Sequence, residues 1–487
     1  MNDINIKLPK IGLSRDLLLN KMRTYAADDS DWKSGKTWSL VYNVGNDHTE
    51  MLKEAHSLYF SENALNPLAF KSLKKFEHEI IQMSLGLLHG DAETVGTLSS
   101  GGSESILMAV KTSRDAALKQ KPWIKKPEII LPESAHVTFV KAAHYFDLKT
   151  VLAPLKADFT VDTDKIERLI NKNTILLVGS APQYPQGIID PIEIIGDIAL
   201  KHKLFFHVDA CLGGFLLPFL EKLNYDIPKF DFRVTGVTSI SADLHKYGYA
   251  AKGVSVILYR NMDLLKHQFF IYEKWSGGLY ASPGMLGSRP GGPIAAAWAA
   301  MQSLGEKGYF KLAAKTMGVA REMMEEINNI PELSVLGKPQ MPVFVFGSNS
   351  SAVNIFAVAD QMEKNGWHID RQNNPDCIHI IVSPAHSDSN AKFITDLKNC
   401  IHSVKNNPNF STEGSAAMYG MMSAFPVGGM VKKNILKMMC GMYGPEGKIP
   451  NLSSEEGESE KDISMRIGKG LLKSISWLQK LKHKILK

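Results

Sequence analysis

Cysteine is scarce in this chain of 487 residues: Cys211, Cys377, Cys400 and Cys440 are the only four, widely spaced and without a C-x-x-C pair. That excludes a disulfide scaffold, a thiolate zinc site and a redox dithiol as organising features, and the four read as reduced thiols with no metal role. Long apolar runs are missing as well. The longest nearly unbroken one, Ala210–Leu220, has 11 residues, about half of the roughly 20 that span a bilayer as a helix. The N-terminus lacks the basic start, apolar core and small-residue cleavage site of a secretory signal. A cytoplasmic protein without a transmembrane segment is therefore expected. Nor is there an excess of charge: 22% charged and 44% hydrophobic residues is the composition of a folded chain. The net charge of +6 is concentrated in residues 461–487, where eight Lys or Arg meet one Asp, leaving the rest close to neutral. A nucleic-acid partner, which calls for a basic folded surface, is not expected.

What is present is alternation. Between Ser57 and Tyr259, helical stretches separate short β-branched or apolar runs: EIIL at 128, TVLA at 150, TILLVGS at 174, LFFHVDA at 204, TGVTSIS at 235 and VSVILY at 254. Runs apolar on both faces predict an α/β fold, a mostly parallel sheet covered by helices. Ligands of such sheets sit beyond the carboxyl ends of the strands, which gives weight to the polar residues there: Asp209 and the stretch Ser241–Lys246. A Gly- and Pro-rich passage, Ser282–Pro293, leads to a helix from Ile294 to about Leu304. The stretch from Gly308 to Asn407 reads as a smaller α+β region, with strands predicted at VFVFG (343), AVNIFAVA (352) and IHIIVS (378). Asn451–Glu460 is acidic and Ser-rich, a linker composition.

Lys246 carries the most information. It follows a predicted strand within SADLHKYGYAAKG, among small and polar neighbours. Burial lowers the pKa of such an amine and suits it to condense with an aldehyde, the usual one being pyridoxal 5'-phosphate. Asp209 ends the strand of HVDACLGGF, where a carboxylate pairs well with the cofactor's pyridinium nitrogen. In LSSGGSESI a small-residue turn enters a helix, and the free N–H groups there, with Gly102 permitting close approach and Ser103 adding a hydroxyl, suit a phosphate. His136, in SAHVTFVKAAHYF, offers a flat ring to stack on a pyridine. Each alone also reads as an ordinary surface lysine, turn residue, N-cap or core histidine; their order along one chain joins them.

From Lys33 to Gly420 the chain resembles the sphingosine-1-phosphate lyase family, pyridoxal-phosphate enzymes of fold type I in the group II decarboxylase superfamily. The resemblance lies in TLSSGGSESILMAVK, SAHVTFVKAAHYFDLK, HVDACLGGFLLPF, FDFRVTGVTSISADLHKYGYAAKG and GGLYASPGMLGSRPGG. It implies that Lys246 carries the cofactor, Asp209 meets the ring nitrogen, His136 stacks on the ring, and Gly102, Ser103 and His245 hold the phosphate. It also implies a homodimer with shared sites, Ser288 reaching the partner's cofactor phosphate. Tyr42 matches a tyrosine near the substrate phosphate and is expected to complete the partner's site; Tyr184 and Lys252 match residues facing the reacting bond. The implied substrate is a phosphorylated sphingoid base, cleaved between C2 and C3. The domains expected are an N-terminal segment 1–56 contributing to dimer and site, a large cofactor-binding domain 57–304, a small domain 305–450, and a linker and tail 451–487.

One departure bears on the substrate. Where relatives have a histidine followed by Pro-Asp, this chain has Asn66, Pro67 and Leu68. An amide donates a hydrogen bond but carries no proton charge to a phosphate. Two other readings stay open: an amino-acid decarboxylase on the same scaffold, and a silent dimer that binds lipid or a partner. The tail adds a membrane expectation. At 100° per residue, Ile463, Ile467, Leu471, Ile475, Leu478, Leu481, Ile485 and Leu486 share one arc, and Arg466, Lys469, Lys473, Lys480, Lys484 and Lys487 the opposite one. That is the pattern of a helix lying on an anionic membrane surface, or of one docked on its own protein.

Overall fold

The computed structural model describes residues 7–412, 414–424, 428–445 and 447. The linker and the amphipathic tail lie outside the described residues. Strands β1 (Val95–Ser99), β2 (Glu128–Pro132), β3 (Lys149–Ala153), β4 (Thr174–Ser180), β5 (Phe205–Asp209), β6 (Ser239–Ala242) and β7 (Ser255–Tyr259) make a seven-stranded sheet in the order β1-β7-β6-β5-β4-β2-β3. The pairings from β3 through β6 are parallel. β7 turns antiparallel between β6 and β1.

Alternate residues of one strand feed opposite layers. In β2, Ile130 joins Leu177, Val208 and Ile240 in the larger core, while Ile129 and Leu131 join Leu176 and Val178 in a second one. The larger core is closed by residues of α3 (Lys71–Leu87), α7 (Ile192–His202), α8 (Leu217–Lys222) and the first half of α10 (Gly291–Asn328); the second by α4 (Gly102–Gln120) and α5 (Thr138–Tyr145). Every residue of β2, β4, β6 and β7 is buried. Each buried Ile or Leu contributes about 1.5–3 kcal/mol, which explains why these runs read as apolar on both faces. The arrangement is the expected α/β one, a mostly parallel sheet covered by helices.

Strand β1 is not visible as an apolar run because Gly96 is its second residue and Thr97 its third. The glycine is required: a Cβ there would lie 2.7 Å from Ile257 O on the neighbouring strand. AVNIFAVA, expected as a strand, is instead the helix α11 (Ile355–Lys364). Its run is buried nearly all round, so apolar periodicity does not discriminate, and the decision falls to Asn354, whose side chain accepts from Phe356 N (2.9 Å) and Ala357 N (3.1 Å) as an N-cap. The helix expected to end at Leu304 continues to Asn328, but Gly305 (φ 54, ψ −178) breaks it where the end was placed. Strands β8 (Phe270–Trp275) and β9 (Gly278–Ser282) form a hairpin, and β10 (Leu333–Val335), β11 (Val343–Ser348), β12 (Asp370–Gln372) and β13 (Cys377–Ile381) a smaller sheet. Two compact units result: residues 31–346 with 379–394, and the described residues of 1–30, 347–378 and 395–487. The functional side chains below all belong to the first.

Candidate active site

The carboxyl ends of β4, β5 and β6 carry a row of polar residues. Register pairs Ser180 with Asp209 and Asp209 with Ser241, so three side chains stand together where three apolar strands stop. Asp209 is buried; its Oδ1 accepts from Cys211 N (3.0 Å) and, at 3.5 Å, from the Ser241 hydroxyl. Below it on β5, His207 is held between Ser239 Oγ (2.8 Å) and Ser241 Oγ (3.2 Å). Burial brings its pKa down to about 4 against the pull of Asp209, so the imidazole is neutral and fixed. The Ser180 hydroxyl is buried with no partner among the described residues.

After β6 the chain turns sharply. Lys246 N donates to Asp243 O (3.3 Å) and Tyr249 N to Lys246 O (2.9 Å). Tyr247 anchors this turn in the core, its hydroxyl donating to Val382 O (2.9 Å) and Pro342 O (3.2 Å). Gly248 is needed for the tightness, since a Cβ would lie 2.5 Å from Leu244 O. The turn brings Lys246 Nζ 3.0 Å from Asp243 Oδ2. Asp243 also accepts from the Ser255 hydroxyl and has His245 Nε2 at 3.8 Å. The expectation that burial lowers the Lys246 pKa is corrected here: desolvation does disfavour the ammonium, but the Asp243 carboxylate, assisted by Cys211, Tyr42 and Asp209, outweighs it and raises the value above that of an ordinary lysine. Asp243 itself is held below the usual carboxylate range, with burial opposed and outweighed by Lys246 and His245.

Lys252 completes a pair of amines. Its Nζ donates to His245 O (3.0 Å) and lies 5.2 Å from the centre of the Tyr42 ring. Burial, and then repulsion from Lys246, bring its pKa down to about 8. Tyr42 packs edge-on against Tyr247 (4.9 Å between centroids). Tyr42, expected from the resemblance to complete a partner's site, thus lies beside Lys246 and Lys252 of its own chain. Burial raises its hydroxyl pKa although Lys246 works to lower it. Tyr184 packs against His379 with the rings tilted by 33° (4.3 Å between centroids), His379 Nε2 meeting Tyr184 O at 2.9 Å, and stands edge-on to His136 (6.4 Å). His136 Nδ1 accepts from Thr138 N (3.3 Å), and Thr138 Oγ1 lies 3.4 Å from Ser103 Oγ.

Ser103 and Gly102 open α4 with no side-chain cap on its first N–H groups. Glu104 bends back, its Oε2 accepting from Ser100 N (2.7 Å) and Ser100 Oγ (2.6 Å). The leading turn is thereby shaped while the N–H groups of Gly102 and Ser103 remain for an anion. A Cβ on Gly102 would sit 2.7 Å from Asp243 Oδ2 and 2.9 Å from Cys211 Sγ, so the cradle closes on the lysine turn only with glycine there. His245 Nδ1 meets Val254 O (2.9 Å) and its Cε1 faces Gly101. Anion cradle, lysine, strand-end carboxylate and flanking imidazole fit pyridoxal phosphate.

Ser288 and Asn66 belong to a different group. Asn63 Nδ2 donates to Ser288 Oγ (3.0 Å), and Asn63 Oδ1 accepts from Arg289 N (3.1 Å) and Leu65 N (2.9 Å). Asn66 Oδ1 accepts from Leu68 N (3.0 Å) and Ala69 N (3.2 Å), a local turn. Asp243, Glu104, Thr138, Cys211 and His379 escaped the sequence reading. Asp243 was within reach of it, standing three residues before the lysine in the stretch already singled out.

Fold and site together define a pyridoxal-phosphate-dependent enzyme of the decarboxylase superfamily. The pyridoxal-dependent decarboxylase conserved domain matches residues 58–348. The rice sphingosine-1-phosphate lyase is 44% identical over 90% of this chain and 81% of its own length. Among solved structures, the sphingosine-1-phosphate lyase of Burkholderia pseudomallei superposes with a TM-score of 0.80 at 38% identity, covering 89% of this chain and 97% of that one. A Lactobacillus brevis glutamate decarboxylase shares the fold, with a TM-score of 0.73 at 22% identity over 82% of this chain and 95% of its own. The chain belongs to the sphingosine-1-phosphate lyase family, and it is a pyridoxal-phosphate-dependent lyase.

Proposed function

We propose that the protein cleaves a phosphorylated sphingoid base between C2 and C3, releasing phosphoethanolamine and a fatty aldehyde. The observation that carries this reading is the second amine: Lys252 Nζ, donating to His245 O at 3.0 Å and 5.2 Å from the centre of the Tyr42 ring, stands beside the Lys246 turn, and a pKa lowered there suits it to take up a proton. Bound pyridoxal phosphate supplies the electron sink for the pair released at C2. Lys246 carries the cofactor, Asp209 keeps the ring nitrogen protonated, His136 covers one ring face, and Gly102, Ser103 and His245 hold the phosphate. Lys252 takes the proton from the C3 hydroxyl as the C2–C3 bond opens and C3 becomes the aldehyde carbonyl. Tyr184, braced by His379, hydrogen-bonds the same oxygen. Tyr42 and Asn66 serve the substrate phosphate.

The working unit in this reading is a homodimer with shared sites, to which Ser288 brings its hydroxyl from one subunit to the other's cofactor phosphate. Unpartnered apolar surface supports it. Ile271 is 63% exposed and Trp275 54% on the hairpin, and α1 (Arg15–Tyr25) has no buried residue while exposing Leu17, Leu18 and Met22. Among the described residues no helix is long and apolar enough to cross a membrane. The enzyme is cytoplasmic, and the tail attaches it peripherally to anionic membrane, six cations on one arc contributing roughly 1 kcal/mol each. Deleting residues 461–487 should abolish sedimentation with anionic liposomes and leave cofactor binding intact; unfolding of the dimer instead would assign the tail to docking on the protein.

Aldehyde release from sphinganine 1-phosphate, measured beside carbon dioxide release from amino acids, tests the activity. Aldehyde from the phosphorylated base alone is expected, with none from Lys246→Ala; carbon dioxide alone would make the protein a decarboxylase. Borohydride should fix the cofactor to the peptide bearing Lys246.

A further inference from the structure

Glu104 is 8% exposed, and the donors to its carboxylate are all neutral. One oxygen, Oε2, shapes the cradle through Ser100; the other, Oε1, accepts from Met285 N at 2.8 Å, 181 residues away. A carboxylate this close to a phosphate seat works against the anion. Its place is explained by what it holds. Met285 lies three residues before Ser288, on a segment gripped in a second place as well: Gln268 Nε2 donates to Pro283 O and to Thr97 Oγ1 (2.9 Å), while Gln268 Oε1 accepts from Tyr259 OH (2.7 Å). Inside the segment, Ser282 Oγ donates to Gly284 O (3.0 Å) and Leu286 O (3.3 Å). The segment from Pro283 to Ser288 is thus tied to the cradle through Met285 and to the sheet of its own subunit through Gln268 and Pro283.

We infer that Glu104 is a positioning residue that couples the two cofactor sites of the dimer. It joins the cradle of its own subunit to the segment that reaches the partner's cofactor, so ordering either end lowers the entropy cost of ordering the other. The inference rests on the shared-site reading above. Phosphate at Gly102 and Ser103 fixes the first turn of α4; Glu104 passes that order to Met285; Ser288 then stands ready in the second site. Filling one site favours filling the other.

The test is titration of the cofactor-free dimer with pyridoxal phosphate, followed by its visible absorbance. The wild type should bind with a Hill coefficient above one, the ceiling for two sites being about two. Glu104→Gln, which cannot accept at both Ser100 and Met285, should lower it to about one. Gly284→Ala attacks the same bond from the other side, because its Cβ would lie 2.9 Å from Glu104 Oε1, and it carries the test if Glu104→Gln does not fold. The double variant should bind no less cooperatively than either single one. A merely structural role would weaken binding in both sites and leave the Hill coefficient alone. A non-cooperative wild type, or cooperativity kept in both variants, overturns the inference. Mixing Lys246→Ala with Ser288→Arg protomers separates the two failures. Recovered activity upholds shared sites whatever the titration shows; no recovery, with subunit exchange confirmed, removes the shared sites and the coupling together.

Discussion

Lys246 Nζ and Asp243 Oδ2 are 3.0 Å apart on a single turn, both residues largely removed from water. The carboxylate holds the amine as an ammonium, the form that cannot attack an aldehyde. Capture of pyridoxal phosphate by cofactor-free protein should therefore accelerate as the pH rises. In Asp243→Asn that acceleration should begin at lower pH, because the counter-charge is gone. Stopped-flow absorbance across a pH series checks this; an unshifted profile would mean that Asp243 does not control the lysine.

Lys252 sets a second profile. With its pKa at about 8, the neutral amine gains population as pH rises through that value. The kcat/KM for a phosphorylated base should climb through about pH 8 and level above it. Lys252→Arg, which stays charged, should lose the climbing limb and on the order of 10²-fold or more in kcat. A limb that survives in the variant belongs to another group.

Stability should carry the mark of Asp190. This carboxyl is wholly buried and accepts from Ser180 N (2.8 Å) and Val161 N (3.3 Å); burial outweighs those two bonds and raises its pKa to about 7. The folded state thus holds a proton that the unfolded state has released above about pH 4. The contribution is complete below that pH and is lost as pH climbs to about 7. The advantage of wild type over Asp190→Asn, from urea midpoints, should shrink between pH 5 and pH 8. Growth of that advantage would contradict the assignment.

Asn66→His should strengthen binding of phosphorylated substrate mainly below about pH 6.5, where an unperturbed imidazole is charged. It should also cost about 1 kcal/mol of stability, since Asn66 Oδ1 holds Leu68 N and Ala69 N. Asn66→Asp keeps those bonds and should weaken substrate binding by repulsion. Equal affinity of all three proteins at every pH would place residue 66 away from the phosphate.

Strands with both faces buried declared themselves in the sequence, because each needs apolar residues at consecutive positions; β2 and β4 are of this kind. Strand β1 did not, since a glycine stands where a side chain would collide with its neighbour. Nor did α11, whose all-round burial erases the period and leaves a single asparagine cap to decide. In the site, Lys246 and Asp209 were legible because each ends or follows a strand. Asp243 lay inside the singled-out stretch Ser241–Lys246 but carried no role there, because its pairing with Lys246 is made by the turn that closes between them. Tyr184 and His379, 195 residues apart, meet only through the fold.

The row Ser180–Asp209–Ser241 gives the sheet a use in the laboratory. These residues are aligned by strand register alone, and a slip of one position would replace the carboxylate by Val208 or Ala210. Helix content and compactness would hardly notice such a slip, but the ring nitrogen would lose its partner. The absorbance of the bound cofactor is therefore a gauge of register. A slip of one position would leave refolded protein with its circular dichroism but an altered cofactor spectrum, and the fraction with the native spectrum is a lower bound on the molecules in which β4, β5 and β6 paired in register.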